Sequence, residues 1–206
     1  MCHRFLEQVL LRDSQLYPWL MRLDCDLAQE AKDGGCIWCG GRLDRAAYPR
    51  KPRGGPADLV DGYGKRLSFC CAEEDCRRRV TPPSVRFLGR RVYLGAVVVL
   101  VSAMVHGATP PRAARLEELF GVSARTLARW RDWWRIAFPQ SAFWKAARGL
   151  LRSTAEVATL PLSLLRSFGK LDEGADDEAG NRALLVTALR FLSPLTTASA
   201  KGGMAF

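Results

Sequence analysis

Apolar residues recur at intervals of three and four through the first thirty-odd positions. Phe5, Val9 and Leu10 form a short stripe, and Leu20, Leu23, Leu27 and Ala31 form a second one after Pro18. Lys32-Asp33-Gly34-Gly35 closes this pattern, so residues 1–35 read as an N-terminal helical region with two helices. From residue 36 the helical period is lost. Leu43 to Tyr48, Arg66 to Cys71 and Arg77 to Val85 read as short strands, with the loop Pro49 to Pro56 too rich in proline and glycine to be helix or central strand. The period returns at Val92, Ala96, Val99, Leu100 and Ala103, an apolar helix buried over its second half and ended by His106-Gly107-Ala108-Thr109-Pro110-Pro111. A second helix follows from Arg112 to Phe120, with Ala113, Leu116, Leu119 and Phe120 facing inward. Gly121 supplies the turn, and Ser123 caps a third helix that runs to Phe138 and stops at Pro139. Leu127, Trp130, Trp134 and Phe138 are its inward stripe. Residues 140–206 predict short helices at Phe143 to Leu151 and Leu160 to Phe168, and a last helix from Ala179 to Leu192. An acidic linker at Asp172 to Glu178 precedes that helix, and a frayed tail follows from Ser193. The fold class expected is mainly α with a small β unit (α+β), divided as 1–35, 36–89, 90–139 and 140–206.

Cysteine spacing gives the β unit its chemistry. Cys36-Ile37-Trp38-Cys39-Gly40-Gly41 makes a tight knuckle, and Phe69-Cys70-Cys71-Ala72-Glu73-Glu74-Asp75-Cys76 supplies a second pair some thirty residues later. Adjacent strand residues point to opposite faces, so Cys70 and Cys71 do not both serve one metal. The spacing favours Cys36, Cys39, Cys71 and Cys76 as a four-thiolate structural zinc site with no open position for catalysis. Buried free thiols or a disulfide are the alternative, and the pattern resembles a zinc ribbon, including the Cys-x4-Cys half of topoisomerase-type ribbons. Seven cysteines, an odd number, favour a reducing cytosol over a disulfide framework. Cys25, between two aspartates, reads as a small half-buried thiol rather than an extra ligand.

Charge changes the picture next. The net charge is +10 and the pI about 9.7, and 25 of the 31 basic residues are arginine. A GC-rich genome would explain arginine over lysine; it would not explain the excess of positive charge. Arginine's fork suits phosphates and guanine edges, which points to double-stranded DNA as the partner. Arg50, Lys51 and Arg53 in the proline-stiffened loop, and Arg77, Arg78 and Arg79 after the last cysteine, are the candidate phosphate contacts. Solvated charge that keeps a sheet edge soluble is the bland reading of both runs. The longest apolar run, Ala96 to Val105, is about half a bilayer span and contains Ser102, and no secretion signal is visible, so a cytoplasmic, nucleoid-associated location without membrane is expected.

A short helix, a glycine turn and a Ser-capped helix form a helix-turn-helix signature. Leu119-Phe120-Gly121-Val122-Ser123-Ala124-Arg125-Thr126-Leu127 resembles the "leucine-glycine-valine-serine-x-x-threonine" core of many bacterial DNA-binding domains. The resemblance implies that Ser123, Arg125, Thr126 and Arg129 face the major groove. Residues 36 to about 137 together resemble the N-terminal region of certain insertion-sequence transposases. The carriers are Cys76-Arg77-Arg78-Arg79, Thr81-Pro82-Pro83-Ser84, the helix from Val92, and Phe120 to Trp130. Those transposases continue into a catalytic domain with three separated carboxylates. Here the five acids of the linker are clustered in one stretch, and His3 and His106 are the only histidines. The expectation is therefore a non-enzymatic DNA-binding protein, a transposon accessory factor or a transcriptional regulator. Two alternatives stand beside it: the DNA-binding subunit of a split transposase, and a protein–protein adaptor. Trp130, Trp133 and Trp134, on more than one face of a single helix with at least one expected to be exposed, speak for the adaptor.

Overall fold

The computed structural model describes residues 6–56, 59–88, 93–104, 109–151, 155–170 and 177–197. Cys2, His3, Phe5, Val92, His106, most of the acidic linker and the tail beyond residue 197 lie outside the described residues. The fold is mainly helical with small antiparallel sheets. A π-helical turn, Gln8–Arg12, leads into α1, Leu16–Asp33. The chain then forms β1 (Leu43–Arg45), β2 (Tyr48–Pro49), β3 (Lys65–Arg66), β4 (Phe69–Cys71) and β5 (Arg79–Val80) before turning helical again. No helix among the described residues is long and apolar enough to cross a membrane.

The helical body is built around α2, Gly95–Ser102, every residue of which is buried. Its sequence has no polar face, so it cannot sit at a surface and the other helices wrap it. The next two helices are α3, Pro110–Phe120, and α4, Ala124–Asp132, and α4 packs on both α2 and α3. Short helices α5 (Ala142–Ala147) and α6 (Leu162–Phe168) follow, and α7 (Glu178–Leu192) packs back against α2 and the first turn. One large apolar cluster runs through all of this. A second, smaller cluster of Ala28, Cys36, Leu43, Phe69, Cys71 and Val80 lies beneath the sheet, closed by α1.

The strands are shorter than the sequence pattern suggests. Leu43 to Tyr48 is divided, because β1 pairs with β4 (Leu43 opposite Cys71) while β2 pairs with β3 (Tyr48 opposite Arg66). The last strand is reduced to Arg79–Val80, opposite Cys70 and Phe69. Pro82 and Pro83 follow after Thr81, and prolines have no N–H to extend a ladder.

The tryptophans correct the expectation of an exposed ring: Trp130, Trp133 and Trp134 are 2%, 7% and 0% exposed. Beyond α4 the helix widens into a π-helical turn, Trp133–Ala137, before closing as Phe138–Gln140. An extra residue per turn lets consecutive side chains share one face. Trp133 and Trp134 meet edge to face at 4.7 Å and both pack on Phe138, which in turn meets Trp144 at 4.9 Å. The large apolar residue turned outward here is Ile136, 66% exposed, between exposed Arg135 and Ala137.

Candidate metal centre and basic surface

Four sulfurs converge at the end of the three-stranded sheet. The Sγ atoms of Cys36, Cys39, Cys71 and Cys76 all lie within 4.8 Å of one another. Cys36 is 3.7 Å from Cys76, and Cys39 is 3.4 Å from Cys71. Metal–sulfur bonds of about 2.3 Å in a tetrahedron set sulfurs about 3.8 Å apart, so the cluster matches a four-thiolate cage. Cys70 sits outside it on the opposite face of β4, with its thiol on the Arg77 carbonyl at 3.3 Å.

Each cysteine pair is folded by a turn that its sequence permits. In the first, Gly40 has φ +73° and its N–H donates to the Cys36 carbonyl at 2.7 Å, while Cys36 N–H donates to the Gly41 carbonyl at 2.9 Å. In the second, Arg77 occupies the equivalent place with φ +47°, and the N–H groups of Cys76 and Arg77 both reach the Glu73 carbonyl. A non-glycine residue is uncommon in this region, and here the closed turn holds it. Backbone N–H groups of Trp38 and Cys39 bond to the Cys36 sulfur, that of Gly41 to Cys39, and that of Glu73 to Cys71. Such bonds orient thiolates and stabilise their charge.

The thiols do not ionise independently. Burial opposes ionisation of Cys36, but the Trp38 and Cys39 backbone N–H groups and the neighbouring thiols bring its pKa down to about 7. Cys71 is pushed up to about 12, by burial first and then by Cys39, Cys36 and Cys76. Cys39 is raised too: bonds from the Gly41 N–H and Cys71 favour its thiolate, but burial with Cys76 and Cys36 outweighs them. One thiolate forms readily and discourages the rest. A divalent cation at the centre reverses that repulsion, so the donor set fits a soft-to-borderline metal ion.

The basic residues fall into two groups. Arg79 is tied down through its guanidinium to the Ala46 carbonyl at 2.8 Å and Ser68 Oγ at 2.9 Å. It also lies 5.6 Å from the Tyr48 ring centre, as does Arg50. Tyr48 thus carries two arginines. Sequence reasoning missed it, although it directly precedes the basic loop. Lys51 and Arg53 are exposed. Arg77 and Arg78 are also exposed, with Arg78 5.5 Å from the Trp38 ring centre, and the acidic residues Glu73, Glu74 and Asp75 just before them in the chain are exposed as well.

Loop and helices meet. Arg53 forms a backbone bridge with Tyr93, and its carbonyl accepts from Leu94 N–H at 3.3 Å. A Cβ on Gly54 would lie 3.0 Å from Val97 and 3.3 Å from the Phe120 carbonyl, so the loop fits this place only with glycine there. Tyr93 packs edge-on against Trp130 at 4.9 Å and donates its hydroxyl to the Gly121 carbonyl at 2.9 Å. Gly121 has φ +61° and ends α3, and two residues later Ser123 Oγ accepts from Thr126 N–H at 3.3 Å to start α4. Arg125 is exposed. Thr126 is only 8% exposed, and its hydroxyl accepts from Ser123 at 3.1 Å and from the half-buried Arg129 at 3.3 Å. Thr126 therefore positions its neighbours, and Arg125 is the side chain with free reach.

Comparison of the chain with protein-family profiles, with curated proteins and with solved structures gives no match.

Proposed function

We propose that this chain is a zinc-stabilised, non-enzymatic DNA-binding protein, a transposon accessory factor or a transcriptional regulator. Cys36, Cys39, Cys71 and Cys76 hold one structural zinc in a ribbon, and α3 with α4 acts as a helix-turn-helix. The observation that carries the reading is the junction of loop and turn: Arg53 is bridged to Tyr93, and Tyr93 is bonded to the Gly121 carbonyl. That junction ties the loop of Arg50, Lys51 and Arg53 to the start of α4. Phosphate contacts from the loop and base contacts from Arg125 then act on one duplex, with Thr126, itself bonded to Ser123, holding Arg129 beside it. Arg79 belongs with the loop through Tyr48. Arg77 and Arg78, which follow three acidic residues in the chain, contribute less.

Two measurements test this. In a selection from random duplexes, Arg125→Ala should relax preference at one or two base positions, since a bidentate arginine–guanine pair discriminates by about 1–3 kcal/mol. Identical preferences in wild type and variant would remove α4 as the reading element. Arg50→Ala combined with Arg53→Ala should weaken all sequences equally and flatten the plot of log K against log salt by about 1.8, about 0.9 for each phosphate. An unaltered slope would return the loop to a solvated surface. Exposed Ile37 (75%) and Trp38 (48%) at the first knuckle favour a second reading, in which the ribbon docks a protein such as a transposase. Absence of any duplex affinity at low salt would select that reading.

A further inference from the structure

The end of α4 and the π-helical turn that follows it carry a feature that the DNA-reading surface does not use. Arg131 and Arg135 are four residues apart, hence on one side of the helix. They line a cavity of about 70 Å³ together with Ser102, Met104, Thr159 and Leu160. A single water needs only about 10–15 Å³ of such space, so the cavity has room for a small polyatomic group. Among the described residues two cations line it and no carboxylate does. One Arg131 N–H goes to the Met104 carbonyl at the end of α2. Arg135 is exposed and has no ion pair among the described residues. Ser102 is 4% exposed, and its Oγ is buried without a hydrogen-bond partner among the described residues. A buried hydroxyl with no partner is rare in a folded chain and calls for a group that completes it. Thr159 is already engaged, its hydroxyl on the Glu156 carbonyl and carboxylate at 3.3 and 3.2 Å.

We propose that Arg131, Arg135 and Ser102 form a binding site for a tetrahedral oxyanion of the phosphate class. Arginine forks match phosphate oxygens, and a serine hydroxyl supplies a third donor without adding charge. Burial, and then the charge of Arg135, lower the Arg131 pKa, and an anion bound between the two guanidinium groups acts in the opposite direction by favouring their charged forms. Free inorganic phosphate and a phosphate of the DNA backbone present the same chemistry. The free-anion arm stands without the DNA-binding reading, whereas the backbone arm rests on it.

The test uses the full, metal-loaded chain in phosphate-free, low-salt buffer. Inorganic phosphate is titrated calorimetrically into wild type, Arg135→Ala and Ser102→Ala, and duplex affinity is measured against salt for the same proteins. Arg135→Ala removes an exposed side chain, so its fold should persist. It should weaken phosphate at least about tenfold, the effect of losing a charged hydrogen bond. Ser102→Ala should raise the thermal midpoint without phosphate, by removing an unsatisfied hydroxyl, yet shrink the rise that phosphate produces. Phosphate binding lost in Arg135→Ala, with no duplex binding by any protein, would uphold the site and sink the DNA reading. Undetectable free phosphate with a salt slope flatter by about 0.9 in Arg135→Ala would identify a backbone phosphate. Equal phosphate affinity in wild type and Arg135→Ala, or neither effect, would overturn the proposal.

Discussion

Replacing Cys71 by serine should release the metal and unfold the two cysteine turns with the three-stranded sheet (residues 36–45 and 69–80), while the helical body built on α2 stays folded. The two apolar clusters are separate, and the smaller holds only six buried residues, two of them the cysteines Cys36 and Cys71. With strands of two and three residues this sheet unit has little other support. Zinc bound to four thiolates contributes on the order of 10–16 kcal/mol to small domains of this kind, far more than such a core supplies. Cys70→Ser should keep the metal, because Cys70 faces away and bonds to the Arg77 carbonyl. Metal content by mass spectrometry, with hydrogen exchange over residues 36–80, distinguishes the two variants. Release by Cys70→Ser and retention by Cys71→Ser would invert the ligand assignment. Acid should mimic Cys71→Ser: metal binding needs deprotonated thiols, so affinity falls as pH falls and protons compete for Cys36, Cys39, Cys71 and Cys76.

What could be read from the sequence was what local chemistry dictates. Gly121 and Ser123 announce a left-handed turn and a helix cap by residue type alone, and both are in place. The alternation rule separated Cys70 from Cys71, and register puts them on opposite faces. The apolar run around Val99 had no polar side and became the buried axis of the body. The failures are of another kind. A π-helical turn at Trp133–Ala137 shifts the phase of the helix by one residue, and no period count over Trp130, Trp133 and Trp134 reveals that shift. The division of β1 from β2 follows from which strand each finds as a partner, a choice made by tertiary contacts. The contact from Arg53 through Tyr93 to Gly121 joins positions 28 to 68 residues apart, and no spacing rule predicts it. Asp24 with Arg86 is the same case, since a single aspartate and a single arginine 62 residues apart carry no pattern.

That pair should be the most sensitive point of the fold outside the four-cysteine cluster. Arg86 and Asp24 are 0% and 1% exposed, with Nε 2.7 Å from Oδ2. Asp24 also accepts from Ser84 Oγ at 2.6 Å and from Val85 N–H at 2.7 Å. Arg86 donates onward to the Tyr63 carbonyl at 2.6 Å and the Lys65 carbonyl at 2.9 Å, and its guanidinium lies between the Tyr63 and Phe87 rings at 5.1 and 5.0 Å. One ion pair thus fastens α1, the start of β3 and the strand-to-helix connection, which joins the small sheets to the helical body. Removing either partner leaves a dry, uncompensated charge, so Asp24→Ala and Arg86→Ala should each destabilise by about 3–5 kcal/mol. A typical domain has about 5–15 kcal/mol in all, so either variant should be close to unfolding at room temperature. The double variant should lose clearly less than the sum, because the second removal abolishes the orphaned charge left by the first. Urea denaturation of the four proteins measures this coupling. Additive losses, or a loss below about 1 kcal/mol in Arg86→Ala, would mean that neighbouring packing rather than the ion pair holds this junction.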